Sequence, residues 1–208
     1  MSEGEITRLL AYGDPLLNGK SGVRIFGGGV AEIILSPDGT LSRIAEGVLG
    51  AGARPVRALL FDKTAEANWA VGWHQDRTIA VRDRHDVADF GPWSRKDGAL
   101  HVEPPFEILR DMITLRAHLD DCDAENAPLL IVPGSHKLGR VPVAEVPTVP
   151  DRLGLAVCLA ECRDVWVYAT AIVHGSRRAH RPRRRRVLQV DYAAHALPAG
   201  LQWLGIAA

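Results

Sequence analysis

From residue 55 onward the chain breaks into short apolar runs separated by turn residues, and this punctuation limits the folds open to it more than any other feature. The runs fall at residues 56–61, 69–79, 112–119, 129–132, 165–168 and 187–192, and glycine, proline, asparagine or aspartate interrupt the chain between them. Such runs are strand signals, because β-branched and aromatic side chains fit a pleated, half-buried surface while Gly, Pro, Asn and Asp favour turns. With little strong helix between them, the spacing calls for an antiparallel sandwich or barrel.

The first 54 residues read differently. Gly27-Gly28-Gly29 and Pro37-Asp38-Gly39 read as turns, and apolar residues at helical spacing over 41–49 predict a short amphipathic helix ended by Gly50 and Gly52. The glycine run lacks the Lys-Ser/Thr of a phosphate loop. At 208 residues one domain is expected, spanning 1–208 with its core at about 56–192. Between the second and third runs lies a long irregular stretch marked by Gly91-Pro92-Trp93 and Pro104-Pro105. Loops of this length usually cover a site, so residues 82–108 read either as a lid, with Trp93 and His101 as substrate-lining candidates, or as a packed surface excursion.

Charge narrows the partners. Lys plus Arg equals Asp plus Glu at 25 each, so no global field points to nucleic acid or to a membrane surface. The acidic start Met1-Ser2-Glu3-Gly4-Glu5 is unlike a signal peptide and no span is long and apolar enough to cross a bilayer, so a cytoplasmic location is expected. Cys122, Cys158 and Cys162 are odd in number and lack Cys-x-x-Cys spacing, which suits reduced, mostly buried thiols better than a zinc site. Nothing in the sequence fixes an oligomeric state.

One motif carries chemistry. In Trp73-His74-Gln75-Asp76, residues two apart on a strand share a face, so an imidazole and a carboxylate could meet at one point. A further histidine would complete a 2-His-1-carboxylate triad, which leaves coordination positions open for a co-substrate and O2 on Fe(II). Among eight histidines, His174 has the most suitable context, at the far side of the apolar run 165–168 and opening the polar turn His174-Gly175-Ser176. His85 and His180 sit in charged loops, His136 in a turn where local hydrogen bonding is expected, and His118 on a strand where it could face a cavity.

Taken in order, His74-Gln75-Asp76, the run from Asn126 to Lys137, and Asp164-Val165-Trp166 leading to His174-Gly175-Ser176 resemble the phytanoyl-CoA dioxygenase family over roughly residues 56–192. The resemblance implies a mainly β fold, the double-stranded β-helix or cupin-like jelly-roll, with flanking N-terminal helices. It implies Fe(II) held by His74, Asp76 and His174, with 2-oxoglutarate as co-substrate and O2 as oxidant. The activity implied is hydroxylation of a small-molecule substrate with release of succinate and CO2. A carboxylate at Asp76 favours hydroxylase over halogenase, since related enzymes with a small residue there leave room for a halide. The distal carboxylate of 2-oxoglutarate suits a planar guanidinium, which can give it two charge-assisted hydrogen bonds. The family places that arginine about eleven positions past the distal histidine, which points to Arg185, with Arg184 second because a one-residue slip exchanges strand faces. Leu59, Phe61 and Lys63 alternate on the strand before the motif and could flank the co-substrate, Leu59 foremost.

Two features sit apart from that pattern. The run Arg177, Arg178, Arg181, Arg183, Arg184, Arg185 and Arg186 reads as a solvated basic loop entering the last strand, and Ala127 stands where the family has Gly, so a loop that avoids positive φ is expected there. The competing reading is a cupin-like metal protein that works without 2-oxoglutarate.

Overall fold

The computed structural model describes residues 1–207. The helices are α1 (Glu3–Leu17), α2 (Gly29–Leu35), α3 (Thr40–Leu49), α4 (Phe106–Arg110) and α5 (Val149–Leu153). The strands are β1 (Gly22–Ile25), β2 (Arg54–Lys63), β3 (Val71–His74), β4 (Ile79–Val81), β5 (Trp93–Lys96), β6 (Ala99–Val102), β7 (Met112–His118), β8 (Leu129–Ile131), β9 (Ala156–Cys158), β10 (Val165–Ala169), β11 (His174–Ser176) and β12 (Arg185–Ala193). They form a five-stranded sheet, β1-β2-β12-β7-β10, a four-stranded sheet, β3-β11-β8-β9, and a three-stranded sheet, β4-β6-β5. All strand pairs are antiparallel, and the architecture is the expected mainly β, cupin-like jelly-roll with helices flanking its N-terminal side. Among the described residues, no helix is long and apolar enough to cross a membrane.

Period-two alternation assigns each strand of the large sheet two different jobs. Ala58 and Leu60 of β2, Leu115 and Ala117 of β7, and Leu188, Val190 and Tyr192 of β12 face one way, into a core shared with Ile6 and Leu9 of α1, Ile34 of α2 and Leu41 of α3. The residues between them, Arg57, Leu59 and Phe61 on β2, Arg116 on β7, and Arg185 and Gln189 on β12, line a cavity on the opposite face. Burying the helical face by itself seals one side of the sheet and leaves the other for polar chemistry.

The helical layer is pinned at its start. Ser2 and Glu5 form a capping box on α1, the Ser2 hydroxyl accepting from the Glu5 N–H and the Glu5 carboxylate accepting from the Ser2 N–H. The same carboxylate accepts from the Thr40 N–H and hydroxyl at 2.8 and 2.7 Å, tying α1 to α3. Burial would raise the Glu5 pKa, but the hydrogen bonds from Thr40 and Ser2 prevail and lower it to about 2.

Four local expectations change. The run 69–79 is not one strand: β3 ends at His74 and β4 joins another sheet, because residue 75 turns the chain inward. The segment 82–108 is not an irregular lid but contains β5, β6 and the start of α4, its hairpin built on Asp97-Gly98 with φ of 48° and 81°. Gly27-Gly28-Gly29, read as a turn, instead leads directly into α2, which begins at Gly29, and a Cβ at Gly29 would lie 2.5 Å from the Tyr12 ring, so glycine permits α1 and α2 to touch. Ala127 adopts φ of 53° despite its Cβ. It is buried, and its carbonyl receives the Arg185 guanidinium at 2.6 Å, so the surroundings impose the left-handed geometry that alanine resists.

Candidate active site

His74 closes β3 and His174 opens β11, and the two strands place them directly opposite one another in antiparallel register. Their ring centroids lie 4.2 Å apart. The strands can approach this closely because Gly175 follows; a Cβ there would stand 3.0 Å from the Val71 carbonyl oxygen. Each imidazole uses Nδ1 on the carbonyl two residues earlier, His74 on Gly72 at 2.8 Å and His174 on Ile172 at 2.9 Å. A backbone carbonyl can only accept, so both rings carry the proton on Nδ1 and leave the Nε2 lone pair free, the posture of a metal-ligating histidine. Burial lowers the His174 pKa to about 4, against the opposing pull of Asp76, so the ring is neutral at pH 7.

Asp76 lies past the end of β3, in the bend before β4, yet lines the same cavity as both histidines. The middle residue of the motif makes this possible. Gln75 is buried, its amide donating to the carbonyls of Gly139 at 3.1 Å and Ala171 at 2.9 Å and accepting from the Val141 N–H at 3.0 Å. Those three bonds lock the backbone between the two candidate ligands.

Arg57 then holds the carboxylate. Its Nη2 donates to Asp76 Oδ2 at 3.1 Å and its Nε to Asp191 Oδ2 at 2.5 Å, while Asp191 Oδ1 accepts from the Thr114 hydroxyl at 2.9 Å. Burial opposes ionisation of Asp76, but Arg57, His174 and His74 outweigh it and keep the pKa below the usual carboxylate range. Asp191 goes the other way, raised by burial against the pull of Arg57. Arg57 itself is held firmly protonated, the two carboxylates overcoming its own burial.

The donor set fits a divalent cation: two imidazoles whose Nδ1 atoms are engaged by backbone carbonyls, leaving Nε2 for a metal, and one ionised carboxylate whose Oδ1 has no partner among the described residues. Among the described residues no three His, Cys, Asp or Glu side chains are already closed into a coordination sphere, so the fit lies in donor type and orientation.

Away from these three, the cavity of about 160 Å³ runs between Leu59, Phe61, Leu129 and Ser176 to Arg185. Arg185 is buried, donates Nη1 to Ala127 and has an Nε with no partner. Arg184 immediately precedes β12, is bonded to Asp62 and Asp14, and does not line the cavity. Arg183 pairs with Asp123 and Arg186 with Asp14 and Asp120, but Arg177, Arg178, Arg181, Arg183 and Arg184 are exposed, so the run is the solvated basic loop expected up to Arg185, which turns inward. Leu59 and Phe61 line the cavity; Lys63 is buried beside it, donating to the Trp69 and Arg177 carbonyls.

The lid candidates lie elsewhere. Trp93 is on β5, packed with the cluster around Val102 and under the Arg84 guanidinium, and His101 is wholly buried on β6 with Nδ1 on the Ala99 carbonyl. Neither lines the cavity, because the hairpin folds their strands against β4. His118 also misses it, buried on β7 with both ring nitrogens unpartnered. His136 has no partner for Nδ1, so the local bond expected of it is not made; Ser135 in that turn instead makes a long-range bond, accepting from the Val173 N–H at 2.8 Å.

Sequence reasoning missed Arg57, Gln75, Arg116, Gln189 and Asp191. Arg57 and Arg116 had a signal, each being a charged residue in an otherwise apolar strand run. Gln75 had none, since its partners are distant in sequence.

Comparison with known proteins identifies the fold and the family. The chain superposes on AviO1 from Streptomyces viridochromogenes Tue57 with a TM-score of 0.64 at 21% identity, covering 96% of this chain and 88% of that one. EctD from S. alaskensis, solved with 2-oxoglutarate and 5-hydroxyectoine, gives a TM-score of 0.66 at 16% identity, covering 93% and 69%. HygX from Streptomyces hygroscopicus, solved with nickel and 2-oxoglutarate, gives 0.60 at 18% identity, covering 93% and 79%. At these identities the likeness establishes the fold. No curated protein matches the chain. The family model for phytanoyl-CoA dioxygenase matches residues 51–187, about two-thirds of the sequence and the framework from β2 to the start of β12, and the chain therefore belongs to the phytanoyl-CoA dioxygenase family of iron- and 2-oxoglutarate-dependent oxygenases.

Proposed function

We propose that the protein hydroxylates a small molecule in a reaction that consumes 2-oxoglutarate and O2 and releases succinate and CO2. The observation that carries this reading is a single cavity with His74, Asp76 and His174 in one wall and, farther along, a buried arginine with no acidic partner. His74, Asp76 and His174 would hold Fe(II), as the donor set above fits. When bound, Fe(II) supplies the redox chemistry that couples O2 reduction to decarboxylation of the 2-oxo acid and hydroxylation of the substrate. Arg185 takes the distal carboxylate of 2-oxoglutarate, for which its free Nε and planar guanidinium are suited. Leu59, Phe61 and Leu129 line the cavity between and exclude water from the reacting groups. Arg57 fixes the Asp76 carboxylate in place, and the two backbone carbonyls fix the imidazole tautomers. The solved relatives support the co-substrate, since EctD and HygX were each solved with 2-oxoglutarate.

Succinate formation on incubation with Fe(II), ascorbate and 2-oxoglutarate tests the reading. Wild type is expected to form succinate slowly without substrate, and Asp76→Ala to form none. A protein that neither binds 2-oxoglutarate nor makes succinate would remove the proposal and favour a cupin-like metal protein.

A further inference from the structure

The cavity contains one guanidinium more than its co-substrate needs. Arg116, on β7, is buried and lines the same cavity as Arg185. Its Nη1 donates to the neutral Gln189 Oε1 at 2.7 Å, and its Nε has no partner. Among the described residues, neither Arg116 nor Arg185 forms an ion pair with any carboxylate, whereas Arg57 on the same sheet has two. A buried cation without a counter-charge is costly, and two within each other's field cost more. Burial, and after it the like charge of Arg116, lower the Arg185 pKa against the opposing Cys122 thiol, and both arginines line the one cavity.

A 2-oxo dicarboxylate relieves only one of them. One of its carboxylates, with the keto oxygen, belongs at the metal, and the other belongs to Arg185. Arg116 is left facing the cavity with a free donor and positive charge. Beside it the wall is apolar and aromatic, with the Arg116 guanidinium 5.7 Å from the Phe61 ring centroid. Leu59, Phe61 and Trp69 are shared with an outer cavity of about 600 Å³ that opens onto the inner one. We propose that Arg116 binds the carboxylate of the primary substrate, so that the enzyme acts on small organic acids whose apolar body rests against Leu59, Phe61 and Trp69. This assignment rests on the 2-oxoglutarate-dependent reading above and names the substrate class for it.

Calorimetric titration separates the two. Protein loaded with redox-inert Ni(II) is titrated with 2-oxoglutarate and then, at saturation, with phenylacetate and with its uncharged amide, phenylacetamide. Wild type is expected to prefer the acid at least about tenfold, the scale of a charge-assisted hydrogen bond in a buried site. Arg116→Gln is expected to abolish that preference while changing 2-oxoglutarate affinity less than about threefold, and Arg185→Gln to weaken 2-oxoglutarate at least about tenfold. Arg116→Lys, which keeps the charge, is expected to retain a preference for the acid. Equal binding of acid and amide by wild type overturns the inference without any variant having to fold. It is also overturned if Arg116→Gln loses 2-oxoglutarate as fully as Arg185→Gln, which would mean that both arginines grip one carboxylate. A wild type that fails to bind 2-oxoglutarate at all defeats the proposed function itself, and a wild type that binds it but ignores the acid defeats only this assignment.

Discussion

Replacing Arg57 with methionine removes a charge from between two carboxylates while keeping most of the side-chain volume. Asp191, 1% exposed, then loses its partner at 2.5 Å and retains only the Thr114 hydroxyl. Breaking a buried pair by deleting one partner costs about 3–5 kcal/mol, because the other charge stays behind unpaired. For a chain of this size that corresponds to a fall in Tm of roughly 6–20 °C. The sign of the pH dependence follows from Asp191. Its folded pKa is already raised by burial, with Arg57 opposing the rise, and losing Arg57 lets it climb further. A carboxylate whose folded pKa exceeds its unfolded value favours the folded state at low pH, and that contribution is lost as pH rises through the folded pKa. The variant is therefore expected to recover stability relative to wild type as the pH is lowered from neutrality into the acid range. Urea unfolding of the metal-free proteins across that range measures this without a contribution from bound metal. Asp191→Asn in the Arg57→Met background is expected to restore a large part of the loss. An Arg57→Met protein within about 1 kcal/mol of wild type, a pH-independent deficit, or an Asp191→Asn change that adds to the loss would refute the reasoning.

Other parts of the framework make separate predictions. Gln75→Leu removes three buried hydrogen bonds, so a loss of about 2–4 kcal/mol is expected in denaturant unfolding, together with weaker metal binding because the backbone between His74 and Asp76 is released. Ala127→Gly is expected to stabilise by about 1 kcal/mol in the same assay, since glycine accepts the φ of 53° without strain; an unchanged midpoint would show that the loop carries none. Glu5→Gln is expected to destabilise at pH 7, on the order of 2 kcal/mol, and the difference should vanish as pH falls towards 2, because a depressed carboxylate pKa contributes stability above its unfolded value and loses it on protonation.

What the sequence revealed and what it hid have physical causes. Alternation on β2 and β12 is a local property of the chain, so the faces of Leu59, Phe61 and Arg185 could be assigned from spacing alone. The pairing of His74 with His174 depends on strands a hundred residues apart; local context made His174 the leading candidate, and the resemblance added to it before the structure did. Strand geometry placed Asp76 beside His74 for the wrong reason. The carboxylate reaches the cavity from a bend, through contacts of Gln75 with segments 64 and 96 residues away. The sheet of β4, β5 and β6 was concealed by its prolines and charges, although Asp97-Gly98 is a hairpin signal that spacing arguments can use. Arg57 and Arg116 were readable as charges in apolar strands, but what they pair with, or fail to pair with, is fixed only by packing.

The central claim is that His74, Asp76 and His174 hold one metal ion onto which 2-oxoglutarate chelates. Anaerobic calorimetric titration of metal-free protein with Fe(II), followed by 2-oxoglutarate, tests it most directly. The account predicts one Fe(II) per chain, 2-oxoglutarate binding that requires the metal, and loss of Fe(II) binding in His174→Ala and Asp76→Ala variants that still fold. Fe(II) bound equally well by those variants, or 2-oxoglutarate bound equally well without metal, would contradict it.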